Sequence, residues 1–99
     1  MELVNVSAVE RFVRKHRDAA RWLANWADVV RVASWHSLQD VRQQFPSADG
    51  VTLKSGAVVT VFNVKGNDYR LLTAIHYVAG RVVILHVLTH PEYDREKWK

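Results

Sequence analysis

Val58-Val-Thr-Val-Phe-Asn-Val64, Lys65-Gly-Asn-Asp68 and Tyr69-Arg-Leu-Leu-Thr-Ala-Ile-His-Tyr77 form the run whose period decides the fold. Apolar and polar side chains alternate through both flanks, which is the period of a half-buried strand. The Gly-Asn-Asp cluster between them has turn chemistry. A hairpin therefore pairs Val64 with Tyr69 and Asn63 with Arg70. Val78-Ala-Gly80 supplies the next turn, and Arg81–Thr89 reads as a further strand, with Tyr77 opposite Arg81 and Leu72 opposite His86. Upstream, Val51–Lys54 and the Ser55-Gly56 turn add one more. Short connections of this kind join antiparallel neighbours, so this half is a β-meander of three to four strands.

The period changes before Asp49-Gly50. Ala19, Trp22, Leu23, Trp26, Val30 and Ala33 recur at helical spacing and predict a helix over Arg17–Ala33. Val9, Phe12 and Val13 mark an earlier helix, opened by a Ser7-Ala-Val-Glu10 capping box and interrupted near Arg14–Arg17. Ser37-Leu-Gln-Asp40 is a further cap signal, for a short helix carrying Leu38, Val41 and Phe45 that ends at Pro46. Glu2–Val6 is β-prone and predicts a short first strand, and the polar tail from Pro91 has room for one helical turn. The expected class is α+β, with two to three amino-terminal helices packed on one face of the sheet.

Strand alternation then sorts the sheet's side chains. Phe62, Val64, Leu71, Val83, Leu85 and Val87 fall on the face that receives the helices. Asn63, Arg70, Leu72, Val82, Ile84, His86, Leu88 and His90 fall on the other. An ordinary polar sheet face explains part of this second set. It explains less well why Arg and His predominate, or why apolar Leu72 and Leu88 lie among them.

The 99 residues suit one domain, residues 1–99, and contain no cysteine, so disulfides and thiolate metal sites are excluded. His86 and His90 are separated by about 13 Å if both lie in one strand, too far for a single ion, so no metal or cofactor is expected. The amino terminus lacks the basic-then-apolar order of a signal peptide, and no apolar run approaches a membrane span; a cytoplasmic protein without membrane contact is the expectation. Fourteen Lys and Arg against ten Asp and Glu leave a net charge of +4. Residues 50–99 hold seven of the cations and four of the acids, so most of the excess is carboxyl-terminal. Such a balance favours a polyanionic partner, nucleic acid before membrane.

Phe62-Asn-Val-Lys-Gly-Asn-Asp-Tyr-Arg70-Leu-Leu, followed by Val87-Leu-Thr-His-Pro-Glu-Tyr-Asp94, resembles the HigB toxins of type II toxin–antitoxin modules. These are part of the RelE superfamily of ribosome-dependent mRNA interferases. The likeness spans essentially the whole chain and is most specific in these two strand-end motifs. It implies a RelE-like fold, cleavage of translated mRNA at the ribosome, and neutralisation by a HigA-type helix-turn-helix antitoxin in a hetero-oligomer.

The motif residues suit attack of a ribose 2′-OH on the adjacent phosphate. Arg70 can offer a bidentate fork to phosphate oxygens. His90 brings an imidazole, the side chain able to exchange protons near neutral pH. Glu92 or Asp94 can act as base or orient His90, and Tyr93 can stack on a base or donate to phosphate. Lys65, Asn63, Lys54, Arg95 and Lys97 are the expected RNA contacts. Each residue also has a structural alternative: Arg70 paired with Glu92 or Asp94, His90 capping the strand end, Tyr93 anchoring the tail. Trp22 and Trp26 read as core, and His76 and His86 as packing residues. Two competing readings stay open. One is a non-catalytic RNA- or ribosome-binding domain. The other is a protein-interaction module that docks an acidic partner on an Arg14, Arg17 and Arg21 helix stripe.

Overall fold

In the computed structural model, which describes all residues from Met1 to Lys99, the hairpin at Lys65–Asp68 forms in the predicted register. The elements in order are β1 (Glu2–Val4), α1 (Val6–Lys15), a single 3-10 turn (Arg17–Ala19), α2 (Ala20–Val32), α3 (Leu38–Gln44), β2 (Asp49–Thr52), β3 (Val58–Val64), β4 (Tyr69–His76), β5 (Arg81–Thr89) and α4 (His90–Asp94). The class is α+β, as expected. The sheet has five strands rather than three to four, in the order β1-β5-β4-β3-β2. β2 to β5 are the antiparallel meander, while β1 adds to the far side of β5 in parallel. A parallel partner needs a long crossover, and here the helices and the whole meander provide it.

The amino-terminal helix does not use the Ser7–Glu10 capping box. β1 ends at Val4, and the chain turns through Asn5, which adopts a left-handed conformation (φ 69°, ψ 40°). Asn is among the few non-glycine residues that visit this region readily. Its Nδ2 donates to the Ile84 carbonyl of β5 at 2.8 Å, and Ser7 Oγ donates back to its Oδ1 at 3.3 Å. The predicted interruption after α1 is present: α1 stops at Lys15, and one tight turn re-aims the chain before α2. That break divides Arg14 from Arg17 and Arg21, so these three do not share one continuous helix. Ser37 caps α3, accepting from the Asp40 amide as predicted.

The helical face of the sheet holds the larger core. Trp26, Leu23 and Val30 of α2 and Val41 of α3 pack on Phe62, Val64 and Leu71, and all are essentially fully buried. Trp26 meets Phe62 edge-on at 5.4 Å between ring centroids. The opposite face holds a smaller cluster of Val59, Val61 and Leu72, covered by Leu88, Tyr93 and Trp98.

β5 departs from the alternation expected of it. Leu72 opposes His86 as predicted, but Thr73 opposes Ile84 and His76 opposes Arg81, so Leu85 is an extra residue in a β-bulge. The bulge reverses the sidedness of the strand's first half. Val82 and Ile84, assigned above to the outer face, are buried at 0% and 1% exposure in the helical core, whereas Leu85 is 36% exposed. Val83 pairs with Ala74 on the outer side. Thr73 lies fully buried beside the bulge, and its hydroxyl donates to the Thr60 carbonyl at 2.9 Å.

Ile84→Ala is therefore expected to cost about 2–5 kcal/mol of unfolding free energy and Leu85→Ala less than about 1 kcal/mol. Urea unfolding of the two variants checks this; equal losses would place the bulge elsewhere.

Candidate functional site

The meander brings the two quoted motifs to one end of the sheet. Arg70 lies opposite Asn63 on β3 and Leu88 on β5, so all three share the outer face. One Arg70 terminal nitrogen donates to the carbonyls of Asn67 and Tyr69 at 3.0 and 3.1 Å. Its guanidinium carbon lies 5.4 Å from the centre of the Tyr93 ring. Tyr93 in turn stacks on Trp98 at 4.9 Å with 14° between the planes. Lys99 Nζ approaches the Trp98 ring at 5.8 Å. A cation, two stacked rings and a second cation thus follow one another along the outer face. Such a column suits a nucleic acid, whose bases stack on rings and whose phosphates pair with cations.

The tail holds this column by local bonds. Thr89 is the amino-terminal cap of α4, and with Glu92 it completes a capping box. Glu92 Oε1 accepts from the Thr89 amide and from the Thr89 hydroxyl, both at 2.9 Å. These bonds favour the carboxylate and hold the Glu92 pKa below its ordinary value of 4.5. The Trp98 indole N–H donates to the Tyr93 carbonyl at 2.9 Å, closing the tail back on α4. The signal for the cap was present in Thr89-His-Pro-Glu92. Trp98 was missed by sequence reasoning; a lone tryptophan among charged residues is the mark it left.

His90 lies in the first turn of α4, not on the strand face. Its Nδ1 is 2.9 Å from Asp94 Oδ2. A carboxylate only accepts, so Nδ1 carries the proton in the neutral ring, and Nε2 presents a lone pair. The pair has the geometry of a base held by an orienting carboxylate. Arg95 and Lys97 line a groove of about 370 Å³ with His86, Leu88, Glu92 and Trp98, on the outer side of β5.

Lys65 turns the other way. Its Nζ pairs with Asp18 Oδ2 at 3.0 Å, and the Tyr69 hydroxyl donates to the same carboxylate at 2.8 Å. These bonds lower the Asp18 pKa, the Tyr69 bond most, and raise that of Tyr69. Lys65 therefore sits at the rim between the two faces, tied to the helical layer by a residue that sequence reasoning did not single out. Asn63 Nδ2 donates to Asn67 Oδ1 at 3.4 Å, across the Gly66 turn. Lys54 is not brought to this end. It lies in the β2–β3 turn, about 20 Å away along β3 at ordinary strand rise. His76 is also at that far end.

Comparison with known proteins adds an independent line. The family described as HigB_toxin, RelE-like toxic component of a toxin-antitoxin system, matches residues 19–96, a span that includes Arg70, α4 and Lys65. A protein of Escherichia coli O6:H1 named mRNA interferase HigB is 25% identical over 95 residues, 96% of this chain and 90% of its own length. One from Escherichia coli strain K12, named mRNA interferase toxin HigB, is 24% identical over 94 residues, 95% of this chain and 88% of its own. A Shigella flexneri protein named mRNA interferase HigB matches to the same extent, 24% identical over 94 residues.

The Glu92 bonds set a pH dependence for the tail. A carboxyl whose folded pKa is depressed stabilises the fold above its unfolded value and loses that contribution as pH falls through the folded one. The indole N–H resonance of Trp98 is expected to keep its docked position above 4.5, the ordinary Glu value, and to lose it only as the pH falls below that value. Thr89→Ala removes the cap, at about 1 kcal/mol, and is expected to loosen the tail already at neutral pH. A docked Trp98 in that variant would show that the cap does not hold the column.

Proposed function

Because this chain belongs to the HigB toxin family, the RelE-like toxic component of a toxin–antitoxin system, we propose that it is an endoribonuclease that cuts mRNA on the ribosome in the cytoplasm. A HigA-type helix-turn-helix antitoxin neutralises it in a hetero-oligomer. The observation that carries the reading is the Arg70–Tyr93–Trp98 column beside the His90–Asp94 pair, at the end of one sheet face.

In this reading a strand of mRNA lies along the outer face with a base against the Tyr93–Trp98 stack. Arg70 and the tail cations Arg95 and Lys97 hold the phosphates, and Asn63 and Lys65 contact the strand at the Lys65–Asp68 turn. Nε2 of His90 accepts the proton of the 2′-OH, and Asp94 stabilises the imidazolium that forms. The bond from O2′ to phosphorus forms as the bond to O5′ breaks, and O5′ takes up a proton from solvent. The products are a 2′,3′-cyclic phosphate and a 5′-hydroxyl. Arg70 stabilises the charge that builds on the phosphorane. Glu92 acts through the cap, where its Oε1 accepts from both the amide and the hydroxyl of Thr89.

Arg70→Ala and His90→Ala are each expected to lower cleavage of translated mRNA by about 10²–10⁴-fold, read as cut products mapped on translating ribosomes. Folded versions of both that cut like the parent would remove these residues from the reaction. A parent protein that binds RNA but never cuts it would leave a non-catalytic RNA-binding domain instead. Lys65→Ala is expected to reduce the salt slope of single-stranded RNA binding by about 0.7; an unchanged slope would take Lys65 out of the interface.

A further inference from the structure

We propose that the groove between α1 and the free edge of β5 receives an extended acidic segment of the antitoxin, which adds to that edge as a sixth strand. The inference rests on the antitoxin part of the reading above and not on the cleavage chemistry. β1 accompanies β5 only as far as Val83. The chain then leaves through Asn5, whose side chain takes the Ile84 carbonyl. Beyond that point β5 has no strand on this side, and α1 makes no backbone hydrogen bond to it.

A groove of about 490 Å³ occupies the gap. Ala8, Arg11, Phe12 and Lys15, spaced at three and four residues, form one helical wall; Leu85 and Val87 form the other. Arg14 adds a third cation, and no acidic side chain lines the groove. The exposed bulge residue Leu85 is an apolar seat within it. Three features therefore coincide: an unpaired strand edge, an apolar floor and cations without counter-charges.

Their combination fits a polypeptide better than RNA. A strand edge offers alternating N–H and C=O groups, which another main chain satisfies one for one. A phosphodiester supplies acceptors only and has no use for Leu85. A segment alternating apolar and acidic side chains meets all three features. The groove also adjoins the outer-face site, since His86 lines both. An occupant of the edge therefore stands against the wall of the RNA groove, which gives neutralisation a steric route.

The test uses the full-length, isotope-labelled protein and three probes: an octapeptide alternating valine and glutamate, its valine–lysine counterpart, and a uridine oligonucleotide of similar length. The valine–glutamate peptide is expected to bind in preference to the other two. It should slow amide exchange at Leu85, His86 and Val87 by at least about tenfold. Arg11→Glu should weaken it by about tenfold or more, as should Leu85→Asp; both side chains are exposed, and unchanged amide spectra elsewhere confirm the fold. Three results would each overturn the proposal: unchanged exchange at the edge, binding indifferent to Arg11→Glu, or slowing of the same edge amides by the uridine RNA as strong as that by the valine–glutamate peptide. None of these readouts is cleavage, so failure here leaves the nuclease reading intact, and loss of the nuclease reading leaves this surface.

Discussion

β5 has to satisfy two neighbours and two faces at once, and the bulge at Leu85 is what lets one strand do so. Its first half lies beside β1 and sends Val82 and Ile84 into the helical core. Its second half lies beside β4 alone and sends His86 and Leu88 outward, while Val87 returns to the helices. A regular strand would turn one of these halves the wrong way, because side chains alternate strictly. It would place Val82 and Ile84 in water, or His86 and Leu88 against α2. The extra residue corrects the sidedness at the cost of exposing Leu85.

The candidate site depends on that correction. With Leu88 on the outer face beside Arg70, α4 begins at the end of β5 and folds back over Leu72 and Val61. Tyr93 and Trp98 then cover an apolar strip that would otherwise face solvent. Their polar surroundings are arranged by short local bonds: the Thr89–Glu92 cap, the Trp98 indole on Tyr93, and the His90–Asp94 pair. Apolar burial sets where the tail lies, and hydrogen bonds set which atoms it presents. The result is a site in which two stacked rings lie between two cations, an arrangement that single-stranded nucleic acid can thread.

The open edge of β5 follows from the same region of the chain. Asn5 ends β1 early and closes the last paired carbonyl, so the strand continues without a partner where α1 passes over it. Exposed edges usually carry some device against unwanted pairing. Here the device is a bulge and a row of cations, which disfavours a second basic chain and leaves an acidic one welcome.

Much of this was legible in the residues alone. The hairpin at Lys65–Asp68, the change from helical to strand period near Asp49, the break after Lys15 and the Trp26 core all follow from local patterns, because each depends on neighbours within a few positions. The two strand-end motifs likewise marked the end of the sheet where Arg70, His90 and Tyr93 lie. What local pattern could not reveal depends on partners far apart in sequence. The parallel place of β1, the capture of the Ile84 carbonyl by Asn5 and the pairing of Lys65 with Asp18 join residues separated by tens of positions. The bulge is the clearest case. Arg81–Thr89 reads as an unbroken strand, and only packing against helices on one side and the tail on the other decides that Ile84 and Leu85 exchange faces. The sequence by itself determined an α+β chain of this family, with its two strand-end motifs at one end of the meander. Tertiary packing alone decided which side of β5 each residue serves, because burial is settled by what lies across the sheet.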